Sequence, residues 1–116
     1  MTPQPLRDVR LALAGCGVVG GGLVRLLHNA RDDIASRFGV RFSVEKVLVR
    51  HPDRDRHVPV DGALFTNDLG AFLRTDADIV VEAIGGEEPA LTIASAALAN
   101  GRKFVTANKE LIAAAG

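Results

Sequence analysis

The sequence predicts an α/β fold, a doubly wound parallel sheet three layers deep in a single domain. Two observations carry that expectation. Short apolar runs that suit buried strands alternate with segments whose apolar residues recur every three or four positions, as in helices packed across a sheet. Glycine and proline fall between them, where strand should give way to helix. At 116 residues the chain is one domain by length and can bury a single core.

Residues 9–14 (VRLALA) form an apolar run ending directly at glycines, as a strand buried on both faces should. From Val19 the period changes. Val19, Leu23, Leu26, Leu27, Ala30 and Ile34 recur at helical spacing, with Arg25, His28, Arg31, Asp32 and Arg37 mainly between them. One helix is expected, stopped by Gly39. Residues 42–49 (FSVEKVLV) read as the second strand, and the charged stretch RHPDRDRHVPVDG after them as a solvated loop. A short third strand is expected at 63–65 and a short helix at 67–74. Residues 78–84 (DIVVEAI) are the fourth strand, ending at Gly85 and Gly86. An Ala-rich helix follows over 87–100, with Pro89 near its first turn and Gly101 beyond its end. Residues 103–106 (KFVT) read as the last strand, and Asn108 opens another helix. Strand-helix alternation of this kind implies right-handed crossovers. No repeat, low-complexity stretch or interdomain linker interrupts it.

Composition narrows the function. Basic and acidic side chains balance at fourteen each, and Tyr and Trp are absent, which argues against a nucleic-acid face. The single cysteine, Cys16, forms no internal disulfide, and no Cys/His cluster has metal-ligand spacing. No apolar run approaches the roughly 20 residues of a membrane-spanning helix. A soluble, cytoplasmic protein is expected.

The chemistry centres on residues 14–22, AGCGVVGGG, which contain GxGxxG. A strand before it and an amphipathic helix after it supply the context that a dinucleotide-binding loop requires. Gly15 permits the tight turn, Gly17 lets backbone approach a pyrophosphate, and Gly20 lets the helix pack on the sheet, the Rossmann-type arrangement. Amides of Val18 and Val19 at the helix start then face the phosphates. Cys16 reads as a small residue that fits between glycines, since no partner base for a nucleophilic thiol is visible.

The second strand hands over to Arg50, where an acid would ordinarily grip the adenosine ribose. A guanidinium there favours a 2′-phosphate, so NADP is expected, with NAD as the alternative. Arg54 and Arg56 either assist Arg50 or are ordinary charges of a solvated loop. Two further segments follow carboxyl ends of strands. Ile84, Gly85 and Gly86 either let backbone pass close to the nicotinamide ribose or form a plain turn. Lys109, in the segment TANKE, stands in a helix first turn where the dipole disfavours a cation. It is either an acid–base group with a lowered pKa or an exposed lysine reaching into solvent.

Together, AGCGVVGGG, VVEAIGGEEPA and FVTANKELIA, in this order and spacing, resemble the N-terminal part of homoserine dehydrogenases. The resemblance covers essentially the whole chain but only the cofactor-binding portion of the family. It implies an NAD(P)-dependent oxidoreductase interconverting L-homoserine and L-aspartate 4-semialdehyde, in threonine, isoleucine and methionine biosynthesis. By motif position, Gly15 to Gly20 would wrap the pyrophosphate, Arg50 would face the 2′-phosphate, and Ile84 with Gly85 would line the nicotinamide side. Lys109 matches a lysine at the junction of nicotinamide and substrate, where it can share in proton transfer. The family often has Asp after the Arg of the second strand; His51 stands here. A homo-oligomer is implied at family level. The substrate-binding and dimer-forming region lies beyond these residues, so residues 1–116 are expected to bind cofactor, to meet the amino-acid substrate only with that region, and not to catalyse alone. The alternatives are a free-standing NAD(P)-binding regulatory module and the first domain of a different dehydrogenase.

Overall fold

The computed structural model describes residues 5–84 and 88–107. Along the chain run β1 (Arg7–Ala14), α1 (Val18–Asn29), α2 (Arg31–Phe38), β2 (Val40–Leu48), a 3-10 turn (Gly62–Leu64), β3 (Phe65–Thr66), α3 (Leu69–Leu73), β4 (Ile79–Glu82), α4 (Ala90–Ala99) and β5 (Lys103–Thr106). The strands form one parallel sheet in the order β3-β2-β1-β4-β5. The chain winds outward from β1 to β3, then returns to lay β4 on the other side of β1. The doubly wound fold is therefore present, with the reversal point between β1 and β4.

β1 is buried because it is central and covered on both faces. Ala12 and Ala14 pack with Phe72 of α3 and with Ile93 and Ala97 of α4. Leu13, between them, packs with Val24 of α1 and Val47 of β2. Period-two alternation along one strand thus feeds two cores, which makes the three layers. Apolar burial of this kind contributes about 25 cal/mol per Å². Among the described residues, no helix is long and apolar enough to cross a membrane.

Most elements fall where the sequence places them, and β5 matches its expected bounds. α4 ends as Gly101 suggests: at φ 71° it lets its own amide reach the Leu98 carbonyl (3.1 Å) and the Arg102 amide reach that of Ala97 (2.9 Å). Three expectations need correction. The Ala-rich helix, expected over 87–100, runs from Ala90 to Ala99, with Glu88 and Pro89 in a turn before it. The single helix from Val19 to Gly39 is two helices, broken at Ala30 (φ −95°, ψ 8°). The Arg31 guanidinium donates to the His28 carbonyl at 2.7 Å, satisfying an acceptor at the break. Gly39 does terminate the second helix, in the left-handed conformation at φ 65°. The third strand lies at Phe65–Thr66, one residue later than expected at its end. Gly62–Leu64 curl instead into the 3-10 turn, started by Asp61, whose side chain accepts from the Ala63 amide at 3.0 Å.

Candidate dinucleotide site

The carboxyl ends of four strands are tied at one level. The Gly15 amide donates to the Leu48 carbonyl, the Ala83 amide to Ala14 (both 2.8 Å), and the Ala107 amide to Glu82 (3.0 Å). Beyond these ends opens a cleft of about 640 Å³. Ligands of open α/β sheets bind in this position, at the point of strand reversal.

One wall is the turn from β1 into α1. Gly15 has φ 94°, and a Cβ there would stand 2.8 Å from the Ala83 carbonyl oxygen. Gly20, fully covered, abuts the Gly15 carbonyl so closely that any Cβ would overlap that oxygen. Only glycine fits at either position. Gly17 differs. A Cβ there would meet nothing within 4 Å, so neither packing nor a left-handed φ explains it. Gly17 lines the open cleft. Val18 (93% exposed) and Val19 (59%) begin α1, whose N-terminus has no side-chain cap and no acid in its first turn. Its orphan amides can therefore receive an anion.

The opposite wall comes from the loop after β2. Arg50, Arg54 and Arg56 all line the cleft. Cys16 lines it too. Burial pushes its thiol above the ordinary value, more than the charges of Arg56 and Arg25 pull it down. It stays a protonated, weakly nucleophilic thiol at neutral pH. Ala83, Ile84 and Pro89 close the third side.

The structure thus brings Gly15, Gly17, Arg50 and Ile84 to one cleft, with Gly20 packed beneath and Val18 and Val19 on the adjoining helix start. Gly85 and Lys109 lie outside the described residues. Sequence reasoning missed Asn67 and Leu69, which reach the cleft from beyond β3, and Glu82 behind it. Glu82 is fully buried; one carboxylate oxygen accepts from the Ile84 amide (2.8 Å) and the other from the Thr106 hydroxyl (2.6 Å). It fastens the outgoing turn of β4 to the end of β5. The signal was legible: an acid inside the apolar run DIVVEAI is seldom buried without partners.

A glycine turn of this form, an uncapped helix start and a basic wall at the reversal point of a parallel sheet define a dinucleotide-binding domain of the Rossmann type. The comparisons narrow the class. The profile described as "Homoserine dehydrogenase, NAD binding domain" matches residues 15–116, and the chain belongs to that family. It is 38% identical over 112 residues to the homoserine dehydrogenase of Mycobacterium bovis, covering 96% of this chain and 25% of that protein. A crystal structure of S. aureus homoserine dehydrogenase superposes with a TM-score of 0.82 at 32% identity, over 91% of this chain and 27% of the other. That of the Thiobacillus denitrificans enzyme gives 0.79 at 36%, over 96% and 26%. The chain spans about a quarter of the length of the curated relatives it matches.

Proposed function

We propose that this chain holds the cofactor of an NADP-preferring homoserine dehydrogenase, an oxidoreductase interconverting L-homoserine and L-aspartate 4-semialdehyde in the cytoplasm. The observation that carries the preference is the meeting of Arg50 with Gly15 and Gly17 in one cleft. A guanidinium at the end of β2 can pair with a 2′-phosphate, whereas the acid usual at that place would repel it.

In this reading Gly15, Gly17 and Gly20 shape the turn whose amides, with those of Val18 and Val19, receive the pyrophosphate. Arg50 binds the 2′-phosphate, and Ile84 with Gly85 lines the nicotinamide side. The bound dinucleotide supplies or accepts a hydride at nicotinamide C4. Lys109 hydrogen-bonds the reacting oxygen of the substrate and shares in its proton transfer. The remaining substrate contacts and the homo-oligomeric contacts come from outside residues 1–116, so this chain alone binds cofactor without turning over homoserine. Oxidation of NADPH by the purified chain with aspartate semialdehyde would contradict that.

Titration with NADPH and NADH tests the cofactor assignment. Arg50→Ala should weaken NADPH by about 1.5–3 kcal/mol, as for a hydrogen bond to a charged group, and leave NADH nearly unchanged. Equal losses remove Arg50 from the role. For Lys109, Lys109→Ala in the full-length enzyme should lower kcat by roughly 100-fold or more with little change in cofactor affinity; an unchanged kcat returns it to an exposed lysine.

A further inference from the structure

The three arginines of the cleft are not equivalent. Arg50 and Arg54 make no side-chain hydrogen bond or ion pair among the described residues, and both stay exposed. Arg56 is committed. Its Nη1 donates to the His51 carbonyl (2.8 Å) and to the Arg54 carbonyl (2.9 Å). Its guanidinium carbon lies 5.4 Å from the centroid of the Phe65 ring, within cation–π range.

These contacts anchor a loop that has no strand or helix of its own between β2 and the 3-10 turn. Phe65 belongs to β3 and pairs with Val47 of β2, so the ring under Arg56 is fixed to the sheet. On the other side, the Arg56 carbonyl accepts from Arg25 Nη2 of α1 at 3.4 Å. Directly after Arg56, His57 takes a left-handed φ of 50°, and its amide donates to Asp55 Oδ1 at 3.0 Å. With Nη1 held by two main-chain carbonyls and the guanidinium set over a ring, Arg56 is restrained in how far it can follow a phosphate, and its flat, multi-donor shape suits a brace.

We infer that Arg56 is a positioning residue: by tying the His51 and Arg54 carbonyls to the Phe65 ring, it holds the loop in the form that presents Arg50 and Arg54 to one anionic group. Selectivity for the 2′-phosphate then depends on a side chain that does not contact it. The inference rests on the reading of Arg50 given above. Holding donors in place before binding removes the ordering cost that a loose loop would charge against NADPH alone.

The test uses the 116-residue chain and the ratio of its Kd values for NADH and NADPH, in Arg50→Ala, Arg56→Lys and Phe65→Leu. Arg56→Lys keeps the charge and loses the planar fork; Phe65→Leu keeps Arg56 and loses the ring. Both should lower the ratio by about three- to tenfold, with the NADH Kd within about twofold of wild type. Amide hydrogen exchange without cofactor gives a second readout: the Arg54 and His57 amides, bonded within the loop, should exchange faster in Arg56→Lys. A wild-type ratio in Arg56→Lys and Phe65→Leu, with a collapsed ratio in Arg50→Ala, overturns the brace and leaves the Arg50 reading standing. Equal losses for both cofactors overturn it in favour of a general structural role. An unchanged ratio in Arg50→Ala overturns the 2′-phosphate reading itself, and the exchange experiment then decides whether Arg56 braces the loop.

Discussion

The two walls of the cleft are built on opposite principles. In the turn after β1, fit comes from missing side chains: Gly20 abuts the Gly15 carbonyl, and Gly15 sits against that of Ala83. The loop after β2 is shaped by side chains, through Arg56 on two carbonyls and on the Phe65 ring. The first wall shares its contacts with the sheet, so the fold and the site fail together. The second is held by the Arg56 contacts and by Val58 and Val60, which pack against Leu13, Val24 and Val47, while Arg50 and Arg54 stand exposed, so their contacts can be altered while the fold survives. On the proposed reading, selectivity placed in the second wall can change without unfolding the domain.

The largest effects should come from the first wall, through Gly20→Ala and Gly15→Ala. In Gly20→Ala the Cβ meets the Gly15 backbone, and α1 must move off the turn, costing about 1–3 kcal/mol as overpacking does. Gly15→Ala adds left-handed strain of about 1–3 kcal/mol to a similar overlap. Thermal unfolding should show both as lowered Tm, with dinucleotide binding lost in parallel. A Gly20→Ala protein melting like wild type would break the claim that this wall is part of the fold.

Gly17→Ala separates the two properties within one wall. With open space around the added methyl, stability should change by no more than about 0.5 kcal/mol. Affinity for NADPH and NADH alike should fall about tenfold or more, because the methyl projects into the cleft. Unchanged affinity would mean that no ligand approaches this backbone.

The smallest effect belongs to the amino end of the sheet, away from both walls. Asp78 accepts from the Arg10 guanidinium and from the Arg10 amide (2.8 Å), and these bonds hold its carboxyl below the ordinary value of 3.8. A carboxylate with a depressed folded pKa contributes stability above its unfolded pKa and loses it as pH falls through the folded value. Both groups are exposed, so the contribution is small. Asp78→Asn should flatten the acid limb of stability below about pH 4 while leaving cofactor affinity at neutral pH unchanged. An unaltered acid limb would show that the pair contributes nothing.

Much of the fold was legible because its signals are local. The run VRLALA meeting GCG marks a buried strand entering a turn, and Gly101 and Gly39 mark helix ends through left-handed geometry that glycine adopts freely. The break at Ala30 was not legible. Alanine is a strong helix former, and Leu26, Ala30 and Ile34 keep helical spacing across the break. β3 was displaced because its two residues are too few to show a period, and its pairing with Val47 and Leu48 fixes its place.

The sequence by itself determined the class of fold, the glycine turn and the presence of a basic segment after the second strand, since each follows from neighbours within one or two elements. Tertiary structure decided which of these features meet. The glycine turn at 15–17, Arg50, Arg54 and Arg56, Asn67 and Leu69, and Ala83 and Ile84 share a cleft because β1 lies between β2 and β4, a pairing between segments far apart in sequence. It also separated three arginines that look alike in RHPDRDR. Charge and spacing cannot tell a free guanidinium from one spent on carbonyls and a ring, because the difference lies in what the folded chain brings against each.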